Sequence, residues 1–260
     1  MGVINVTPDS FSDGGEFYQI EQAIRQGELL ASQGADLLDV GGESTRPFSE
    51  PVPLQEELRR VIPVIAELAK RLTIPISVDT AKAEVARAAL EVGATVINDI
   101  TALRADPEMS KVAAAANVPV VLMHMQGTPR TMQKNPRYDA LLAEIISFLQ
   151  ERVQYACAAG IDRKQLLIDP GIGFGKTVRH NLLLLKHLDA LTVLQLPILL
   201  GTSRKSFIGA VLDKEVTERE PGSWATACVG ILHGAHILRV HEVEICRQLA
   251  DMVDTVLHAD

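Results

Sequence analysis

Polar side chains recur at the ends of short β-branched runs, and that recurrence marks where this chain could do chemistry. Asn5, Asp39, Asp79, Asn98, His124 after Met123, Asp169, Thr202, and Arg239 with His241 each stand at or just past such an end. Asp79, Asn98 and Asp169 offer carboxylate and amide oxygens, acceptors that suit a flat heterocycle carrying several N–H donors. Helix capping is the competing role, strongest for Asp79, which a helical segment follows, and weaker for Asp169, which Pro170 and a glycine-rich loop follow. Arg239 and His241 are two apart on an extended segment, so they project to one side as a cationic patch fit for a phosphate-like group. Glu242 and Glu244 are their alternative partners. Lys205 lies in the polar run 202–206 that opens a helix, where it could hold a ring or an anion.

Two stretches rich in turn formers, 7–15 and 41–47, read as mobile lids, and Phe11 and Arg46 within them are an aromatic and a cation that exposure alone does not call for. Other motifs fail. The run 171–177 resembles a phosphate loop, but Pro170 stands where its first glycine is required. His233 and His236 have no further ligands at zinc spacing and read as capping or surface residues. No local Ser-His-Asp signature is present.

The elements that must position these residues alternate. Strands are predicted over 2–6, 35–40, 75–78, 94–97, 118–122, 166–168, 197–200 and 236–240, separated by segments of helical period. Leu54, Leu58, Val61, Ile62, Ile65, Leu68 and Leu72 trace one helical stripe, and Leu141, Leu142, Ile145, Phe148, Leu149 and Val153 another. Gly34, Gly93, Gly160 and Gly234 close helices just before strands, and Pro75, Pro119 and Pro197 open strands. An open doubly wound sheet would share this alternation. Eight units within 260 residues, near the roughly 250 typical of a (β/α)8 barrel, predict one α/β domain of that fold spanning 1–260. Barrel enzymes gather their sites at the C-terminal ends of the strands, where the polar residues stand.

Composition narrows the function classes. With 33 acidic residues against 25 Lys and Arg, the net charge of −8 opposes broad attraction to nucleic acid or anionic lipid. No apolar run approaches the roughly 20 residues that span a bilayer, and the chain enters its first strand without a charged leader. Cys157, Cys228 and Cys246 are odd in number and sit in apolar helical stretches, so they read as buried thiols of a reducing cytoplasm.

Taken in order, the segments 1–15, 41–47, 77–80, 98–100, 123–127, 169–176, 202–209 and 234–241 resemble the dihydropteroate synthases, one motif per strand end along the whole chain. The resemblance implies condensation of 6-hydroxymethyl-7,8-dihydropterin pyrophosphate with p-aminobenzoate to give 7,8-dihydropteroate and pyrophosphate. It places Asp79, Asn98, Asp169 and Lys205 around the pterin, with Ile100, Met123 and Phe174 as apolar walls. Asn5, Arg239 and His241 match the pyrophosphate end, where Mg²⁺ is expected on Asn5 and Asp13. Phe11, Thr45, Arg46, Pro47 and Ser206 match the p-aminobenzoate subsite. The implied route is SN1-like: pyrophosphate departs, a pterin methylene cation forms, and the neutral arylamine attacks it, with Asp79, Asp169, Lys205, Arg239 and His241 as catalytic residues. A homodimer and competition by sulfonamides are implied as well. Phe48 departs from the pattern, standing where many relatives have glycine. A pterin-binding methyltransferase and a catalytically silent pterin-binding homologue are the competing readings.

Overall fold

The computed structural model describes residues 1–7, 16–46 and 49–259. Among these residues eight parallel strands carry the fold: β1 Gly2–Asn5, β2 Leu38–Gly41, β3 Ile76–Asp79, β4 Val96–Asp99, β5 Val120–Met123, β6 Leu166–Asp169, β7 Leu199–Leu200 and β8 Ile237–Leu238. Among the described residues the helices around them are α1 Glu16–Ser32, α2 Leu54–Arg71, α3 Ala83–Glu91, α4 Met109–Ala116, α5 Leu141–Ala158, α6 Val178–Lys186, α7 Ser206–Leu212, α8 Glu220–Leu232 and α9 Val243–Leu257.

β1 to β6 pair in chain order as one six-stranded sheet and β7 pairs with β8. Two isolated parallel bridges, Ile168 with Ile198 and Gly2 with Val240, join these pieces into a ring. The Val3 N–H donates to the Val240 carbonyl at 3.1 Å, and the Val240 N–H to the Met1 carbonyl at 3.0 Å. That seam is what an open doubly wound sheet lacks, so the (β/α)8 barrel expected from the sequence is the fold.

The last two strands are shorter than the pattern predicted, two residues each. The Ile198 carbonyl receives both the His236 and the Ile237 N–H, at 2.9 and 3.1 Å, and this doubled contact breaks the regular ladder. Pro75, Pro119 and Pro197 lie just before β3, β5 and β7, where they accept from Leu38, Ile97 and Ile168 of the preceding strands while needing to donate nothing. The four predicted C-capping glycines all have positive φ.

Both helical stripes pack inward, through Val61, Ile65 and Leu68 on α2 and Ile145, Leu149 and Val153 on α5. Each fully buried aliphatic side chain contributes about 1.5–3 kcal/mol. Inside the barrel, Met1, Val121 and Leu199 meet Leu37, Leu167 and Ile237 in one apolar layer. Side chains two apart along a strand share a face. The next inward layer on β5, β2, β6 and the segment leaving β8 is therefore Met123, Asp39, Asp169 and Arg239, and the apolar floor gives way to a polar mouth. The cysteines correct the sequence reading: only Cys246 is buried, Cys228 is half-buried and Cys157 is exposed. No helix of the described residues is long and apolar enough to cross a membrane.

Candidate active site

Arg239 leaves β8 and turns inward, where it joins two carboxylates from different strands. Its Nε donates to Asp39 Oδ2 at 2.6 Å and its Nη2 to Asp79 Oδ2 at 2.8 Å. Asn98 Nδ2 donates to the same Asp39 oxygen at 3.1 Å. Asp39 Oδ1 is buried without a partner. Burial pushes the Asp79 carboxyl up to about 7, the Asp39 charge adds to the rise, and Arg239 offsets only part of it. Burial also works against the Arg239 cation, yet the Asp39 and Asp79 charges outweigh it and raise its pKa. Neither Glu242 nor Glu244 takes Arg239, and Asp79 caps no helix, since Asp106 Oδ2 accepts the first N–H of α3 at 2.9 Å.

Beside this hub lies a second charged pair. Asp169 accepts the Gly171 N–H at 2.6 Å, a local turn bond, and burial still pushes its pKa up. Lys205 Nζ stands 4.1 Å from the centre of the Phe174 ring and donates to the Ile172 carbonyl at 2.5 Å. Burial lowers its pKa to about 8, against the pull of Asp169. Phe174 belongs to a separate apolar cluster with Ile100, Met123, Met125 and Met132. The predicted walls thus come together, with two methionines added. The 171–175 loop is drawn tight: at Gly171, φ is +67°, and a Cβ would lie 1.9 Å from the His124 carbonyl oxygen, so only glycine fits.

Two residues of that neighbourhood went unassigned in the sequence. Lys176 buries its ammonium against His124 Nδ1 at 2.9 Å and the Phe174 carbonyl at 3.0 Å, stapling the loop after β6 to the end of β5. Its pKa falls well below the usual lysine value because it is buried, and burial then Lys176 depress His124. His124 therefore serves the loop rather than the mouth. His236, read from the sequence as a capping or surface residue, is exposed, and its Nδ1 accepts the Ile198 N–H just before β7 at 3.2 Å rather than capping a helix.

His241 follows Arg239 past the Val240 bridge and meets the loop after β7, its Nδ1 2.9 Å from Ser203 Oγ. Its pKa is lowered to about 4 by burial, then by Arg204, Arg239, Arg46 and Lys205, so the ring is neutral at physiological pH. Glu242 pairs instead with Arg204. Asn5, half-buried, ends β1 at the same mouth, and Ser206 is exposed at the first position of α7.

The loop after β2 is anchored from outside the barrel. Lys82 Nζ contacts both Glu43, in that loop, and the fully buried Glu57 of α2. Thr80 Oγ1 donates to the other Glu57 oxygen at 2.6 Å. Thr45 is half-buried and Arg46 exposed beyond this anchor. Phe11, Asp13, Pro47 and Phe48 lie outside the described residues. The structure thus gathers Asp79, Asn98, Asp169, Lys205, Arg239 and His241 around one mouth. It adds Asp39 and Ser203, which the sequence reading left without a role. Asp39 carried a signal all the same, a charge on the inward face of the otherwise apolar run 37–40.

Comparison with known proteins decides the family. Residues 1–241 match the family described as pterin binding enzyme. The dihydropteroate synthase of Synechocystis sp. is 47% identical over 257 residues, covering 98% of this chain and 89% of that protein. This chain belongs to the dihydropteroate synthase family. Its fold agrees with solved members. The Xanthomonas albilineans dihydropteroate synthase crystallised with 4-aminobenzoic acid is 48% identical with a TM-score of 0.95, covering 100% of this chain and 93% of that one. The Yersinia pestis dihydropteroate synthase in complex with a sulfonamide drug is 46% identical, also at 0.95, covering 100% of this chain and 94% of that one. As a dihydropteroate synthase the chain is a transferase of folate biosynthesis.

Proposed function

We propose that this barrel mouth joins 6-hydroxymethyl-7,8-dihydropterin pyrophosphate to p-aminobenzoate, releasing pyrophosphate and forming 7,8-dihydropteroate. The observation that carries the assignment of roles is the Asp39–Arg239–Asp79 hub beside Asp169 and Lys205. It presents more buried acceptors than its own donors satisfy, including the unpartnered Asp39 Oδ1. A pterin edge with several N–H donors satisfies such groups. Asp79, Asn98 and Asp169 accept from the ring, Lys205 donates to it, and Phe174 with Met123 and Ile100 encloses its apolar face.

The charges match an SN1-like course. As the bond to pyrophosphate breaks, positive charge grows on the pterin, and the carboxylates of Asp79 and Asp169 favour it. Negative charge grows on the departing group, which Arg239 and the neutral donor His241 face from the β8 side. The arylamine arrives from the side of Thr45, Arg46 and Ser206, with Phe11 and Pro47 completing that subsite, and attacks as the neutral amine. No protein nucleophile takes part. Sulfonamides, as arylamine analogues, compete there.

Mg²⁺ fits the same end. This ion takes one or two protein oxygens and fills its shell with water and phosphate oxygens. Asn5 offers one such oxygen, and Asp13 is the second ligand the family pattern supplies. Among the described residues no group of three or more His, Cys, Asp or Glu could hold a metal ion. When bound it neutralises charge on the pyrophosphate. In this reading the protein acts in the cytoplasm as a homodimer, and the exposed Leu232, Met252, Val256 and Leu257 on α8 and α9 support the pairing. Incubating the protein with both substrates and Mg²⁺ gives dihydropteroate and pyrophosphate in equal amounts. Folded protein that forms neither overturns the assignment.

A further inference from the structure

The Ser203 hydroxyl makes two contacts with a single residue. The His241 backbone N–H donates to Ser203 Oγ at 3.3 Å, and Oγ lies 2.9 Å from His241 Nδ1. A serine hydroxyl has one proton to give and two lone pairs to receive with. The backbone N–H can only donate, so the ring contact has two forms. In one, Ser203 gives its proton to an unprotonated Nδ1. In the other, Nδ1–H fills the second lone pair, and the hydroxyl proton finds no acceptor among the described residues. The first form satisfies the hydroxyl and Nδ1 together and leaves Nε2–H free for the mouth, whereas the second leaves the hydroxyl proton without a protein acceptor in a half-buried place.

The position of Ser203 is itself fixed. The next residue, Arg204, has φ of +58°, a left-handed conformation that non-glycine residues hold only where their surroundings over-determine it. Its N–H donates to Ser223 Oγ at 2.9 Å, its carbonyl accepts from Arg219 Nη1 at 3.3 Å, and its guanidinium pairs with Glu220 at 3.2 Å and with Glu242. This network clamps the loop between the two groups that face the mouth, Ser203 on one side and Lys205 on the other.

We propose that Ser203 is a positioning residue that fixes the His241 ring in its Nε2–H tautomer, so that the ring meets the anionic end of the substrate as a hydrogen-bond donor. The opposite tautomer would turn a lone pair toward that anion. Burial first, and then the cations Arg204, Arg239, Arg46 and Lys205, keep the ring neutral, so a single proton on the correct nitrogen decides whether it attracts or repels. The inference rests on the pyrophosphate reading of His241.

The test uses the full chain labelled with nitrogen-15 histidine, as wild type, Ser203→Ala and Ser203→Thr, with His241→Asn to assign the ring signals. Long-range proton–nitrogen spectra of the substrate-free protein are expected to show His241 protonated at Nε2 in the wild type and in Ser203→Thr. In Ser203→Ala the two tautomers mix. In turnover, Ser203→Ala is expected to lose about three- to tenfold in kcat, the worth of one hydrogen bond, with KM for p-aminobenzoate unchanged, and Ser203→Thr to recover it. A wild-type ring protonated at Nδ1, or a Ser203→Ala protein that keeps both the wild-type spectrum and the wild-type kcat, overturns the proposal. The ring measurement needs no turnover. Absence of dihydropteroate from the wild type therefore counts against the function assigned to the mouth, and a wrong tautomer counts against Ser203.

Discussion

Replacing Asp79 by asparagine separates the cost of the hub from its use. In the folded protein the Asp79 carboxyl is raised from 3.8 to about 7, by burial first and the Asp39 charge second. The folded state therefore binds this proton more tightly than the unfolded chain does. The group's favourable contribution is complete below pH 3.8 and is lost as pH rises through about 7. Across the whole range that difference amounts to roughly 4 kcal/mol, more than half of which falls between about pH 5 and about pH 8. Asparagine has the shape of the protonated acid and keeps an oxygen for Arg239 Nη2, so it carries no such dependence.

The measurement is urea unfolding of wild type and Asp79→Asn at several pH values, read as a difference so that Asp169, Asp99 and the other titrating groups cancel. Near pH 4 the two proteins are expected to be of similar stability. The variant then gains steadily on the wild type and is the more stable by roughly 2 kcal/mol or more at about pH 8. Its turnover falls by about 10² or more, because the charge that favours the cationic ring is gone. A stability difference that stays flat with pH, or that shifts toward the wild type as pH rises, refutes the account of a carboxylate held against burial.

Further substitutions probe the supports at Arg239, at two glycines and at Lys82. Arg239→Ala is expected to lower turnover by about 10² or more. Arg239→Lys is expected to recover little of it, because an ammonium cannot span Asp39 and Asp79 as the guanidinium does, and steady-state rates decide. Gly171→Ala drives a Cβ against the His124 carbonyl oxygen at φ +67° and is expected to cost about 3 kcal/mol or more in chemical unfolding. Gly160→Ala, with its nearest neighbour 3.7 Å away, is expected to cost only about 1 kcal/mol. Lys82→Met strands the buried Glu57 and is expected to destabilise by about 3 kcal/mol, with Glu57→Gln as partial rescue. The same change frees the loop after β2 and is expected to raise KM for p-aminobenzoate more than KM for the pterin substrate.

The barrel was legible because its signals are periodic. The β-branched runs, the stripes on α2 and α5 and the punctuating glycines each repeat with the unit, and each depends on neighbours close in sequence. Asp79, Asn98 and Asp169 were legible for a related reason, since a polar residue that ends an apolar strand has to face a mouth. What stayed hidden depends on closure. Arg239 is 200 residues from Asp39 and 160 from Asp79, and only the seam between β8 and β1 brings them together, so local reasoning offered it Glu242 and Glu244 instead. Ser203 and His241, 38 apart, meet because β7 and β8 pair side by side, again a contact that local reading does not reach. Lys176 was set aside with a failed phosphate loop, although its neighbours Gly171, Gly173 and Gly175 do all take positive φ. Those glycines serve a tight fold, Gly171 against His124, Gly173 against the Lys205 side chain and Gly175 against Gln126, rather than a phosphate. A strand-end rule therefore finds the residues that touch a ligand, and misses the partners that set their charge and tautomer, because those partners stand on other strands and loops, from 38 to 200 residues away.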